Sequence, residues 1–170
     1  MPPTPSPRLY SPVAIAILGL LLAAARAHDD DVVWLEAEKF SAAVGEVQLI
    51  DAAAADFGSM ARNEASAQRF LRIPPGGEVR LDPFETEHDA EWAVWVRAFF
   101  VPSRGLTVSV GGRPAGSTTA YGEQVVLSWQ RVGTIVLPAG EHRVTLAAAD
   151  GNTRLAYADV VALLAQPHAT

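Results

Sequence analysis

Cysteine is absent from this 170-residue chain, and lysine occurs only once, as Lys39. Without cysteine no disulfide can hold the fold, so the core has to be stable alone or with the help of a metal ion. The chain has 13 basic residues against 19 acidic ones, a formal net charge of −6. An acidic chain without a basic cluster is a poor partner for nucleic acid and for anionic membranes, because both are negatively charged.

The chain also lacks a hydrophobic run long enough to cross a bilayer. The unbroken apolar run covers residues 13–25, whereas a membrane-spanning helix needs about 20 residues. It is preceded by Arg8 and ends in Ala25-Arg26-Ala27, a pattern that signal peptidase cleaves. We therefore expect residues 1–27 to be a signal peptide, with an uncleaved membrane anchor as the alternative. Residues 28–170 would then form a single domain that is secreted or periplasmic and does not contact a membrane.

A third absence is that of any long stretch with the 3.6-residue apolar period of a helix. Short runs rich in Val, Leu, Trp and Phe alternate instead with Gly, Pro and Asp-Gly. These runs predict strands near residues 32–38, 47–50, 78–81, 91–100, 106–110, 123–129, 133–137, 142–148 and 155–164. Gly111-Gly112 predicts a tight hairpin turn between two strands. We expect an all-β fold, a monomeric antiparallel two-sheet β-sandwich (jelly roll) of eight to ten strands.

Three acidic residues suggest a metal site. Glu36 and Glu38 are two positions apart, so on one strand they share a face and repel each other unless a cation lies between them. Asp159 is a candidate third ligand, because the last strand of a jelly roll commonly pairs beside the first. By alternation it shares a face with Tyr157 and Val161, where a carboxylate is costly unless paired. Calcium prefers such oxygen ligands. The alternative is that Glu36 and Glu38 lie on a solvated edge and that Asp159 binds Arg97 or backbone.

A family resemblance extends over almost the whole of residues 28–170. Its elements are Trp34-Leu35-Glu36-Ala37-Glu38-x-Phe40, then Trp95-Val96-Arg97, then Val132-Gly133 with Leu137-Pro138-Ala139-Gly140, and finally Leu155-x-Tyr157-x-Asp159-x-Val161. This order resembles the carbohydrate-binding modules of families 6 and 35, which are galactose-binding-like β-sandwiches. The resemblance implies that Glu36, Glu38 and Asp159 hold a structural calcium ion, and that the protein is not an enzyme but binds a polysaccharide or oligosaccharide.

The resemblance also implies a sugar cleft built from loops, in which aromatic rings stack on the sugar and planar amides bind its hydroxyls. Trp129 matches the stacking ring of the family, and Asn152 matches its polar partner. Tyr121 is a second candidate ring. The chain departs from the family between residues 58 and 68, where Arg62 and Asn63 occur in place of an aromatic residue. This departure either argues against the sugar site or favours a ligand bound by Arg62, such as an acidic sugar. The alternative for Trp129 is a position in the core.

Two other functions remain open from the sequence. Cleavage after Ala27 would make His28 the new N-terminus, and a terminal His with His88, His142 or His168 could bind copper(II) as a copper brace. The domain could also be a docking or spacer module that accompanies a separate polysaccharide-active enzyme. Motifs of nucleophilic, zinc or phosphate-binding enzymes are not found in the sequence.

Overall fold

A computed structural model of the protein describes residues 32–52, 65, 69–99, 102–120 and 127–166. The described residues form thirteen strands and no helix. The strands are β1 (Val32–Glu36), β2 (Phe40–Val44), β3 (Gln48–Asp51), β4 (Arg69–Ile73), β5 (Glu78–Leu81), β6 (Phe84–Thr86), β7 (Ala90–Phe99), β8 (Leu106–Val110), β9 (Arg113–Ser117), β10 (Leu127–Leu137), β11 (Gly140–His142), β12 (Val144–Ala148) and β13 (Ala156–Ala165). In the part of the chain that the structure describes, there is consequently no helix that could span a membrane.

Two antiparallel sheets form the domain, as the sequence predicts. Sheet A has the strand order β10-β7-β13-β4-β3, and β1 pairs with β13 beside β4. Sheet B has the order β2-β5-β12-β8-β9, and β6 pairs with β11 as a separate ribbon. The strands outnumber the expected eight to ten in part because β6 and β11 are only three residues long and have too few apolar residues for a sequence signal.

The main core lies between the inner faces of the two sheets. Trp92, Val94, Val96 and Ala98 of β7 belong to it and are buried. Apolar residues also occupy the other face of β7, as is typical of a central strand, and β7 lies between β10 and β13. A smaller cluster at one end contains Phe70, Phe99 and Tyr157, whose rings meet edge to face.

At one side of the sandwich an edge strand of each sheet passes close to the other. A Cβ atom on Gly133 of β10 would lie 2.0 Å from the carbonyl oxygen of Ala115 in β9. A Cβ atom on Gly116 of β9, whose φ is +153°, would lie 2.0 Å from the carbonyl oxygen of Val132. Both distances are far below van der Waals contact, so only glycine allows the two backbones to approach this closely.

A β-bulge at Asp159 changes the predicted faces of β13. Against β7, Ala158 pairs with Ala98 and Val160 pairs with Arg97, so that Asp159 is the extra residue. As a result Ala156 and Ala158 face the main core before the bulge, and Val161 and Leu163 face it after the bulge. The prediction that Tyr157, Asp159 and Val161 share one face was therefore wrong, because simple alternation does not continue through a bulge.

Candidate functional site

Two tryptophan rings lie together on the solvent-facing side of sheet A. The ring centroids of Trp34 and Trp129 are 5.4 Å apart, and the ring planes are tilted by 58°. The side chains are well exposed, by 53% for Trp34 and 37% for Trp129. Trp129 is thus not a core residue. We call this pair the tryptophan platform.

The pairing of the strands explains how the platform is assembled. Trp129 is opposite Arg97, Arg97 is opposite Val160, and Val160 is opposite Glu36. Directly opposed residues share a face, so Trp129 and Glu36 are on the same side of the sheet. Trp34 is two residues before Glu36 on β1 and shares that face. The rings reach each other from strands that are separated by β7 and β13.

The Trp34 ring is oriented by a hydrogen bond within its own strand. Its indole Nε1 donates to Oε1 of Glu36 at 2.8 Å. An indole nitrogen can only donate, and a carboxylate can only accept, so the polarity of this bond is fixed. The bond to an ionised acceptor is of the stronger, charge-assisted kind. Glu36 therefore helps to set the geometry of the platform.

The first and last strands meet at the predicted metal ligands. β1 pairs with β13, and the amide of Ala37 donates to the carbonyl oxygen of Asp159 at 2.8 Å. The strand ends at Glu36 rather than at Glu38, because the Lys39 amide donates to the Glu36 carbonyl and closes a turn that contains Glu38. Glu36 and Glu38 thus flank Ala37, and Ala37 is hydrogen-bonded to Asp159. The three acidic residues therefore lie at one strand junction.

The Asp159 carboxylate is fully buried, and its Oδ2 atom lies 3.1 Å from Nη1 of Arg97. Glu38 has a buried Oε2 atom for which no hydrogen-bond partner is found among the described residues. Such an oxygen fits a bound cation, because a buried carboxylate oxygen is costly to leave unpaired.

Formal charges at this junction also fit a divalent cation. Glu36, Glu38 and Asp159 contribute −3 and Arg97 contributes +1, which leaves −2. As placed, however, no three His, Asp or Glu side chains of the described segments are arranged to hold a metal ion. These side chains would therefore have to converge before their oxygens could hold a calcium ion.

Asn152 has a clear role in holding the backbone. Its Oδ1 accepts from the Gly105 amide at 3.0 Å, and its Nδ2 donates to the Gly105 carbonyl at 2.8 Å. These two bonds join the turn before β13 to the turn before β8. Next to Gly105, the Arg104 guanidinium lies 5.3 Å from the Tyr157 ring centroid and donates to the carbonyl oxygen of Leu155. Sequence reasoning did not identify Arg104, which has no distinguishing motif.

Several predicted site residues lie outside the described residues. They are Tyr121, Arg62 and Asn63 of the predicted sugar cleft, and His28 and His168 of the copper alternative. Residues 1–27 lie outside them as well. Of the two described histidines, His142 has its Nε2 atom 2.8 Å from the Pro138 carbonyl oxygen, and its ring lies against Phe84.

The outer face of sheet B exposes charged and hydroxyl side chains around a pocket. A pocket of about 520 Å³ there is lined by charged and hydroxyl side chains, among them Arg80, Arg143, Glu78, Glu141 and Thr145. The two arginines balance the two glutamates, and Nε of Arg80 lies 3.1 Å from Oε1 of Glu78. No Trp, Tyr or Phe is among the described residues that line this pocket, whose one aromatic lining residue among them is His142.

Comparison of the fold with solved structures gives matches to carbohydrate-binding modules. The C-terminal family 6 module of the laminarinase LamC from Zobellia galactanivorans matches with a TM-score of 0.55 and 15% identity, over 78% of this chain and 98% of the module. A family 35 module from Clostridium thermocellum matches with a TM-score of 0.52 and 14% identity, over 78% of this chain and 96% of that one.

A larger enzyme also contains a similar domain. The Podospora anserina β-(1,4)-mannanase, which combines a GH26 domain with a family 35 module, matches with a TM-score of 0.58 and 12% identity over 81% of this chain. This chain spans only 28% of the length of that enzyme. No family model and no curated protein matches the sequence. At these identities the comparisons show the fold, which is that of family 6 and family 35 carbohydrate-binding modules.

Proposed function

We propose that this protein is an exported, non-catalytic glycan-binding module that binds sugar chains on the tryptophan platform. The observation that carries the proposal is the pair of exposed, contacting rings of Trp34 and Trp129 on the outer face of sheet A. One face of a pyranose ring presents C–H groups and is apolar, and an aromatic ring that covers it removes apolar surface from water.

The surroundings of the rings suit a sugar chain better than a small apolar ligand. Arg131 is on the same strand and face as Trp129, two residues further on, and is exposed. Arg97 and Glu36 belong to the row that joins Trp129 to β1. Charged donors and acceptors at the edge of an aromatic surface can bind the hydroxyl groups that project from a stacked sugar.

The similar structures suggest which oligosaccharides to use as probes. They include a mannanase, a module of a laminarinase, and an exo-β-1,3-galactanase from Phanerochaete chrysosporium crystallised with β-1,3-galactotriose. Two matches that extend over nearly the full length of the solved chain are binding modules, one from family 6 and one from family 35. A panel of mannohexaose, laminarihexaose and β-1,3-galactotriose, measured by isothermal titration calorimetry, is therefore the first test of binding.

Removing either ring should weaken binding without unfolding the protein. We expect Trp129→Ala and Trp34→Ala each to reduce the binding free energy of the best probe by about 2 kcal/mol, which raises Kd roughly 30-fold. Because both side chains are exposed, the free energy of unfolding should change by only about 0.5 kcal/mol. Titration of each variant with the oligosaccharide that binds the wild type best measures the first effect, and urea denaturation measures the second.

Val136→Ala provides a matched control, since Val136 lies on β10 and is 58% exposed but is seven residues from Trp129. It should bind as the wild type does. Equal affinity of the wild type and both tryptophan variants would contradict the platform as the site. A wild type that binds no member of the panel, or of a wider glycan array, would contradict the glycan-binding function.

We further propose that calcium binds at the junction of β1 and β13, held by Glu36, Glu38 and Asp159. The buried Oε2 atom of Glu38 and the formal charge of −2 support this. The ion would supply positive charge and oxygen coordination there.

Calcium should raise the melting temperature, since it would bind the folded state only. We expect 1 mM CaCl₂ to raise Tm by several degrees over EDTA, and Glu38→Gln to abolish most of the increase. Differential scanning calorimetry measures both. The same Tm in calcium and in EDTA would refute the calcium site.

A further inference from the structure

A third tryptophan, Trp95, lies on the same outer face of sheet A as the tryptophan platform. It belongs to β7, in which the residues on one face, Trp92, Val94, Val96 and Ala98, point into the main core. Successive side chains of a strand point to opposite faces, so Trp95 points to the outer side of the sheet. Its side chain is half-buried rather than part of the core.

The pairing of the strands places Trp95 beside the platform. Trp95 is opposite Ala162 on β13, and Ala162 is opposite Trp34 on β1. On its other side, Trp95 is opposite Arg131 on β10. Directly opposed residues share a face, so one row of side chains joins Arg131 to Trp34 through Trp95. Trp129 is two residues before Arg131 on β10 and is therefore in the adjacent row.

Small side chains on this face are covered although they point away from the main core. They are Ala93 of β7 and Val160 and Ala162 of β13, and all three are buried. Larger neighbours have to lie over such short side chains to exclude water from them, and Trp95 and Trp34 flank Ala162 in its row. The outer face of sheet A thus has an apolar surface that continues beyond the platform, along β7 and β13.

We propose that Trp95 is a third sugar-stacking ring, so that the site binds an extended segment of a glycan chain across sheet A rather than one terminal sugar. This inference rests on the proposed function. The row of Trp95 crosses the four strands β10, β7, β13 and β1, and three strand spacings give a width of about 14 Å. That width exceeds a single pyranose ring and suits an oligosaccharide of several residues.

The ends of this row have the chemistry that a longer sugar chain needs. Arg131 is exposed and has a guanidinium that can donate hydrogen bonds to hydroxyl groups. At the other end, Trp34 meets Trp129 with ring centroids 5.4 Å apart. Each further sugar that stacks on a ring removes more apolar surface from water. Trp95 therefore adds affinity only for a ligand that is long enough to reach it.

Trp95→Ala is the informative variant, and Trp129→Ala is its comparison. The ligands are the disaccharide and the hexasaccharide of the linkage that binds the wild type best, and calorimetry measures both Kd values. We expect Trp95→Ala to raise the hexasaccharide Kd about 10-fold and the disaccharide Kd less than about 2-fold, whereas Trp129→Ala should raise both. An unchanged hexasaccharide Kd in Trp95→Ala, or an equal loss for both ligands, would overturn the inference.

A second measurement uses the unmodified protein, because replacing a half-buried ring also lowers stability. In nuclear magnetic resonance spectra the indole N–H signal of Trp95 should move on titration with the hexasaccharide but not with the disaccharide. The signal of the buried Trp92 should stay in place with both ligands. A Trp95 signal that stays in place while the hexasaccharide moves those of Trp34 and Trp129 would overturn the third ring and leave the proposed function intact. A wild type that binds neither ligand would overturn both.

Discussion

Trp34 and Trp129 show how far a single residue can be interpreted from sequence. Trp129 was identified through its place in a resemblance, with the core as the alternative, and the structure places it on the surface. Trp34 is part of the family resemblance, but the resemblance assigns it no role in ligand binding. A signal was present, since Val33 and Leu35 pack against the core, which turns Trp34 and Glu36 outward. An aromatic residue at an outward position of a strand is the pattern that would have identified it.

The ion pair of Asp159 and Arg97 gives a prediction at this scale. Asp159→Asn removes the charge that compensates a largely desolvated guanidinium, so it should destabilise the fold. Loss of one partner of a fully buried pair costs about 3–5 kcal/mol, and because the Arg97 side chain is 19% exposed we expect about 2–3 kcal/mol. Urea denaturation in EDTA measures this without a contribution from calcium.

The exposed pair of Arg80 and Glu78 is the control, with side chains 56% and 33% exposed. Arg80→Gln should cost no more than about 1 kcal/mol, because solvent screens the pair. Similar small losses for both variants would mean that Arg97 finds other compensation once Asp159 is replaced.

Among the elements, strands with a regular alternation of apolar and polar residues were the predictable ones. The predicted strand at residues 106–110 coincides with β8, and the one at 78–81 coincides with β5. The Gly111-Gly112 turn is confirmed, with φ values of +58° and +75° that suit glycine at both positions. β2, β4 and β9 were missed. β2 is mostly exposed and rich in Ala and Ser, and β4 begins with an arginine and has a second one at its fourth position.

The pairing of the strands was harder to predict from the sequence than the positions of the strands. The neighbourhood of the first and last strands was expected, and β1 does pair with β13. The bulge at Asp159 could not be predicted, because no glycine or proline marks it. The position of the platform depends on pairing over four strands, which a local sequence pattern does not contain.

The contact between the edge strands β9 and β10 gives a prediction for these elements. Gly133→Ala would put a Cβ atom 2.0 Å from the Ala115 carbonyl oxygen. The two strands would have to separate, and since overpacking typically costs 1–3 kcal/mol, a backbone clash of this size should cost about 3 kcal/mol or more.

Gly112→Ala is the comparison, because a Cβ atom there meets nothing within 4 Å and the cost is only that of a positive φ. That cost is about 1 kcal/mol. Denaturation curves for the two variants should therefore differ clearly in midpoint. A smaller loss for Gly133→Ala than for Gly112→Ala would show that the two sheets separate easily at this edge.

At the scale of the whole molecule, the outer faces of the two sheets differ in the side chains that they expose. Sheet A has the aromatic rings together with exposed Val32 and Leu164, which are opposite each other on β1 and β13. Sheet B has a pocket of balanced charge. The overall charge of −6 favours neither face for a neutral sugar. The aromatic rings therefore distinguish the faces, and the acidic junction lies beside the face that has them.

The nuclear magnetic resonance signals of the indole N–H groups test the platform most directly. The chain has four tryptophans, so four such signals are expected, and Trp92 is a built-in control because it is only 1% exposed. On titration with the oligosaccharide that binds best, the signals of Trp34 and Trp129 should move in a saturable manner while that of Trp92 stays in place. If the glycan binds but the signals of Trp34 and Trp129 do not move, the ligand lies elsewhere and the platform is not the binding site.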